Sequence, residues 1–156
     1  MPLLATTIDE AILAIVSQLS AAVSYKVYDG IPSKLPETRV VTKYLVIGAE
    51  NLDDRENFTS AANMEQTWAG LGQVARDETV FINSIAVGVS TSIAGARANA
   101  KAVLDDVRNH LSTHLSTNTY NAMIEQVTSV KSKNAHGGAI VQMEFIITAK
   151  ARIRDA

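Results

Sequence analysis

Between Thr79 and Leu115 the sequence TVFINSIAVGVSTSIAGARANAKAVLDDVRNHLSTHL changes its hydrophobic period from two to about 3.6, which one kind of element cannot satisfy. In the first part, Phe81, Ile85, Val87 and Val89 share one side of a strand while Val80, Ile82 and Ala86 fill the other. Both sides are apolar, which predicts an internal strand. In the second part, Ile93, Ala96, Ala100, Val103, Leu104, Val107, Leu111 and Leu115 recur at three- and four-residue steps and form one stripe of a helix, with Arg97, Lys101, Asp105 and Arg108 off it. A strand greasy on two sides, followed by a helix greasy on one, implies a covered sheet.

The flanking segments extend this reading to an α+β fold, a mostly antiparallel sheet with two main helices packed on one side. Thr7 precedes Glu10 at capping-box spacing, and Ile8, Ile12, Ile15, Val16 and Leu19 follow as a stripe, so a helix is expected over about residues 7–22. A short strand is expected over 25–29 and a longer one over 38–49. In the second, Val41, Leu45 and Ile47 oppose Val40, Tyr44 and Val46. Residues 50–65 carry Glu50, Asp53, Asp54, Glu56 and Glu65 against Arg55 alone, which predicts an acidic loop. A strand is expected around Trp68. Strands over 122–133 and 139–153 are joined by a turn at Asn134–Gly138, and in the last strand Val141, Met143, Phe145, Ile147, Ala149, Ala151 and Ile153 alternate with polar residues. Leu104 and Phe145 are expected to be buried against each other's elements.

The chain of 156 residues is long enough for one domain, 1–156, with its own core. It has no cysteine, which removes disulfides and thiolate metal sites. Asp9 and Glu10 interrupt the apolar N-terminal run and no basic leader precedes it, so neither a signal peptide nor a membrane span is expected. A net charge of −2 gives no electrostatic footprint for nucleic acid.

Reactive chemistry is sparse. Asp106, His110 and His114 recur every fourth residue, a spacing that can present metal ligands but equally describes a solvated helix face. Gly88, Ser90, Thr91 and Ser92 join strand to helix as a phosphate cradle would, yet the lysine and glycine spacing of a nucleotide loop is missing and helix capping accounts for the hydroxyls. Arg76, Asp77 and Glu78 form either an acid–base cluster or a solvated turn. No catalytic, cofactor-binding or metal-binding residue is assigned, and no cofactor is expected. A non-catalytic small-molecule module, its pocket between sheet and helix with Trp68 or Tyr44 at the mouth, is an alternative function.

Several short motifs occur in a family-like order: Val27-Tyr28-Asp29-Gly30 ahead of a proline-containing loop, Trp68-Ala69-Gly70-Leu71-Gly72, Ala75-Arg76-Asp77-Glu78, Ala96-Arg97, and Gly138-Ala139 through Phe145 to Ala151-Arg152-Ile153. From about residue 25 onward the chain resembles tail terminator proteins of long-tailed bacteriophages. The resemblance implies a virion subunit assembled as a hexameric ring on the head-proximal end of the tail tube. Such a ring stops tube polymerisation, meets tail tube protein and head-tail connector protein, and lets DNA pass without sequence-specific binding. Another neck or head-completion protein would be a related alternative. The acidic segment 50–63 is longer than the family pattern.

A ring needs two different patches that meet between copies. The acidic Asp53 and Asp54 and the basic Lys150, Arg152 and Arg154 supply opposite charge, and Ile31, Leu35, Leu52 and Phe58 are apolar residues in otherwise polar segments. These nine are the candidate interface residues. With no metal assigned to His110 and His114, a chelator should leave the melting temperature unchanged, and a clear drop on adding EDTA would overturn that assignment.

Overall fold

The change of period at Ser90 is the corner where a long internal strand turns into a helix. The computed structural model describes residues 6–37, 41–52, 58–68, 75–111, 119–135 and 137–154. Its elements are α1 (Ile8–Ala22), β1 (Val27–Asp29), β2 (Lys43–Ile47), β3 (Ala62–Trp68), β4 (Ala75–Ser90), α2 (Ile93–His110), β5 (Thr119–Ala135) and β6 (Gly138–Arg154). They form one sheet in the order β1-β2-β4-β6-β5, with β3 also paired to β4. Only the β1–β2 pairing is parallel. Both helices contribute to the core on one face of the sheet, so the expected α+β architecture is the one observed.

On the helix face, Ala11, Ile15 and Leu19 of α1 and Ala96, Ala100, Val103 and Val107 of α2 lie buried over Leu45, Ile47, Val80, Ile82, Phe145 and Ile147. The opposite face is covered by loops: Tyr44, Val46, Ala49, Leu52, Ile85, Val87 and Val89 are buried there with Tyr28, Ile31, Leu35 and Val41 packed around them. Val41 therefore joins the Tyr44 and Val46 side and not, as the alternation suggested, the Leu45 side, because it precedes the strand and escapes its period. In β6 all seven residues expected inward are buried, while Thr148, expected outward, is buried as well and donates to Glu125.

α2 lies directly on the backbone of β4. A Cβ at Gly88 would collide with the Ala96 carbonyl oxygen and the Ala100 nitrogen, and this close approach is possible because the strand offers glycine where the helix offers alanine. Ser92 caps the helix by accepting from the Gly95 N–H at 3.1 Å, and the Asn99 amide donates to the Val89 carbonyl at 2.8 Å. Ser92 thus supplies the hydroxyl cap expected at this corner.

β4 serves two partners along one edge. Residues Arg76–Ile82 pair with β3 and Ser84–Gly88 pair with β2. Asn83 sits at the fork: its N–H donates to the Ala61 carbonyl, its own carbonyl accepts from Gly48 and Ala49, and its side-chain amide donates to the Ser60 carbonyl. The fork explains two departures from the sequence reading. β4 begins at Ala75 and not at Thr79, and its extra length gives Ala62–Trp68 an edge to pair with, so Glu65 belongs to a strand and not to an acidic loop.

Other boundaries differ too: β2 spans Lys43–Ile47 and not 38–49, of which 38–40 lie outside the described residues. α2 ends at His110, and His114 and Leu115 lie outside the described residues. Phe145 is buried as expected, but Leu104 is only partly so. Two stability measurements follow. Gly88→Ala should cost at least about 3 kcal/mol, the upper end of overpacking effects, because backbone rather than a movable side chain fills the space. Phe145→Ala should cost about 3–5 kcal/mol. Denaturant midpoints at unchanged slope measure both, and a loss below about 1 kcal/mol at either position would mean that α2 does not bear on the sheet there.

Candidate functional site

The carboxylate with the most partners is one that the sequence placed in a solvated turn. Glu78 shares the period-two face of Val80 and Ile82, and in the folded chain it is 1% exposed. Its Oε1 accepts from the Thr7 N–H at 2.6 Å, the Thr7 hydroxyl at 2.5 Å and the Thr6 hydroxyl at 3.0 Å. Its Oε2 accepts from the Gln66 amide at 2.5 Å. One side chain thus ties the start of α1 to β4 and β3, with a negative charge at the helix N-terminus, where the backbone dipoles favour it. Thr7 consequently has no side-chain bond to its own helix, and the expected capping box with Glu10 is replaced by a carboxylate from another element. Burial pushes the Glu78 carboxyl up, but the Thr7, Gln66 and Thr6 donors together outweigh it and hold the group below the usual glutamate range.

The neighbouring charges are also used within the subunit. Arg152 forks onto Asp77, Nε to Oδ1 at 2.7 Å and Nη2 to Oδ2 at 3.1 Å, and this hydrogen bonding draws the Asp77 carboxyl below its ordinary value. The candidate acid–base cluster is therefore a pair of cross-strand ties. Asp106 accepts from the Tyr25 hydroxyl at 2.8 Å, joining α2 to the segment before β1, and burial followed by that bond pushes the tyrosine up. His110 is exposed, and its carbonyl accepts from Gln18 of α1. Among the described residues no three histidine, aspartate or glutamate side chains are grouped to hold a metal ion.

Six of the nine candidate interface residues have described side chains, and they stand in different surroundings. Leu52 is 1% exposed and belongs to the loop-side core, a correction to its expected exposure: the chain after Gly48 folds back over the sheet and buries it. Ile31 and Leu35 are partly buried on that same face. Phe58 is fully exposed, at 106% of its reference area. Lys150 is exposed, whereas Arg152 is occupied by Asp77. Asp53 and Asp54, and the side chain of Arg154, lie outside the described residues.

The small-molecule alternative placed Trp68 or Tyr44 at the mouth of a pocket between sheet and helix. Tyr44 is 5% exposed and meets Tyr28 edge-on at 6.0 Å on the loop side, and the side chain of Trp68 lies outside the described residues. An open cleft of about 370 Å³ does occur on the loop side, lined in part by Glu50, Ser60, Asn63, Asn83, Thr128 and Glu144. Its Asn83 is committed to the fork, and Glu144 to Ser129 and Lys131 at 2.8 Å each. No helix among the described residues is long and apolar enough to cross a membrane.

Neither a family model nor a curated protein matches the sequence. A solved structure does match in fold. It is a chain from the virion of a native gene transfer agent particle, with a TM-score of 0.51, 15% identity, and alignment over 95% of this chain and 95% of that one. At that identity the two chains share a fold.

The Glu78 clamp has a pH signature. Its carboxyl is lower in the folded chain than in the unfolded one, so its contribution is complete above the unfolded value of about 4.3 and is lost as pH falls through the folded value. Glu78→Gln should lower stability by about 1–3 kcal/mol at neutral pH and flatten the acid limb of a plot of melting temperature against pH. An unchanged acid limb would show that Glu78 does not govern it.

Proposed function

We propose that this chain is a structural virion subunit that forms a ring on the head-proximal end of a phage tail tube, ends tube polymerisation and provides the joint to the head connector. The observation that carries the reading is the fold shared over nearly the whole of both chains with a component of the gene transfer agent virion. The order of short motifs from Val27 to Ile153 supports the terminator assignment within that broader class. On this reading the chain is not an enzyme and takes no cofactor. Its partners are further copies of itself in a hexameric ring, tube protein and connector protein, with DNA passing through unread and no membrane involved. It is built in the host cytoplasm and ends in the tail of the virion.

Exposed ion pairs contribute only about 0–1 kcal/mol each, so apolar contacts must hold such a ring. Of the four apolar candidates Ile31, Leu35, Leu52 and Phe58, Phe58 is the one left fully exposed. Analytical ultracentrifugation should find the wild-type protein hexameric, alone or when mixed with tube protein. Phe58→Ser should shift the equilibrium toward subunits without changing the melting temperature of the subunit, whereas Leu52→Ser should unfold it. A monomer at every concentration, with and without tube protein, would contradict the proposal.

A further inference from the structure

The sheet has two long outer edges that take no strand partner among the described residues. One is β3, in which Asn63 through Thr67 are all exposed, and the other is β5, exposed along most of its length. A long exposed edge with apolar side chains is a template for pairing with another chain unless something covers it. Here Met64 is 45% exposed on β3, and Val127 and Val130 are 47% and 54% exposed on β5.

We propose that the copy-to-copy junction is made by these two edges, the second half of β5 in one subunit adding to β3 of the next. This inference deepens the ring reading and rests on it. Four features of the two edges match. The row β3-β4-β6-β5 has an even number of strands, each antiparallel to its neighbour, so β5 and β3 run in opposite directions. A rotation about an axis near the strand direction then makes an antiparallel junction and repeats head to tail. The lengths also agree. β3 is 7 residues long with continuous register, and the register shifts of β5 all precede Ser129, which leaves Ser129–Ala135 regular against β6.

The faces agree as well. Met64 pairs with Val80, and Val130 with Met143, residues of the helix-side core, so the exposed apolar groups of both edges lie on the same face. On the other face β3 presents Glu65 and β5 presents Lys133, which is opposite in charge, while Lys131 beside it is held by Glu144. Finally, the offset is one that a closed sheet accommodates. Met64 is level with Ala149 of β6 and Val130 with Met143, a step of about 20 Å at roughly 3.3 Å per residue, across four strands spaced about 4.8 Å apart. The implied strand tilt is about 45°, at the top of the range typical of closed barrels.

The absence of cysteine makes the junction directly testable. A double variant with Met64→Cys and Val130→Cys is oxidised in the assembled state, free or on tube ends, and run on a denaturing gel without reductant. The expected result is a ladder of covalent multimers that collapses with reductant. Neither single variant should go beyond a dimer, and a control pair of Met64→Cys with Leu13→Cys, exposed on α1, should give no ladder. Hydrogen exchange on the wild-type protein supplies an independent reading: outward amides of Ser129–Ala135 should slow at least tenfold on assembly. A ring of the right mass without a ladder or added protection overturns this junction and leaves the ring reading standing. A wild-type chain that never assembles, free or with tubes, overturns both.

Discussion

The contact of α2 on the bare backbone at Gly88 is the constraint on which the rest of this fold depends. Because no side chain separates the two elements, α2 settles against the C-terminal end of β4, and Ala96 and Ala100 are the small residues that let it do so. The same strand is paired on both edges and forked at Asn83, so the position of the helix is transmitted to β2, β3 and β6 together. Glu78 then fixes α1 to the far end of that strand through its start at Thr6 and Thr7. A long strand read by a helix at one end and by a carboxylate at the other leaves little freedom between the two helices.

Much of this was legible in the sequence because it is written in period. The two greasy sides of β4, the stripe of α2 and the alternation of β6 follow from side-chain spacing alone, and the structure buries most of the residues that those patterns name, with Phe81, Ile93, Leu104 and Leu111 only partly covered. Polar residues were harder to read. Glu78 stands beside Arg76 and Asp77 and so looked solvated, although its parity with Val80 and Ile82 was the signal that it faces the helices. The capping box at Thr7 and Glu10 was a sound local pattern, displaced by a carboxylate from a strand 71 residues away, which no local rule contains. Leu52 was misplaced for a similar reason: composition marks 50–65 as polar, but a single leucine folded back onto Val46 and Ile85 belongs to the core. Strand edges were the least visible feature, since the bulges that set which β5 residues face which way arise from pairing with β6.

These physical properties suit a subunit that works by assembly. Three of its carboxylates are tied inside the subunit, Asp77 to Arg152, Glu144 to Lys131 and Asp106 to Tyr25, while Met64, Val127 and Val130 stand exposed on the sheet edges. One face of the sheet is covered by helices and the other by loops, which leaves the strand edges as the surfaces through which the proposed ring would grow. The most direct test of the capping role is electron microscopy of tail tubes polymerised from purified tube protein with increasing amounts of this chain. The account predicts tubes that stop lengthening, each carrying six-fold density at one end only. Tubes of unchanged length with bare ends would contradict it.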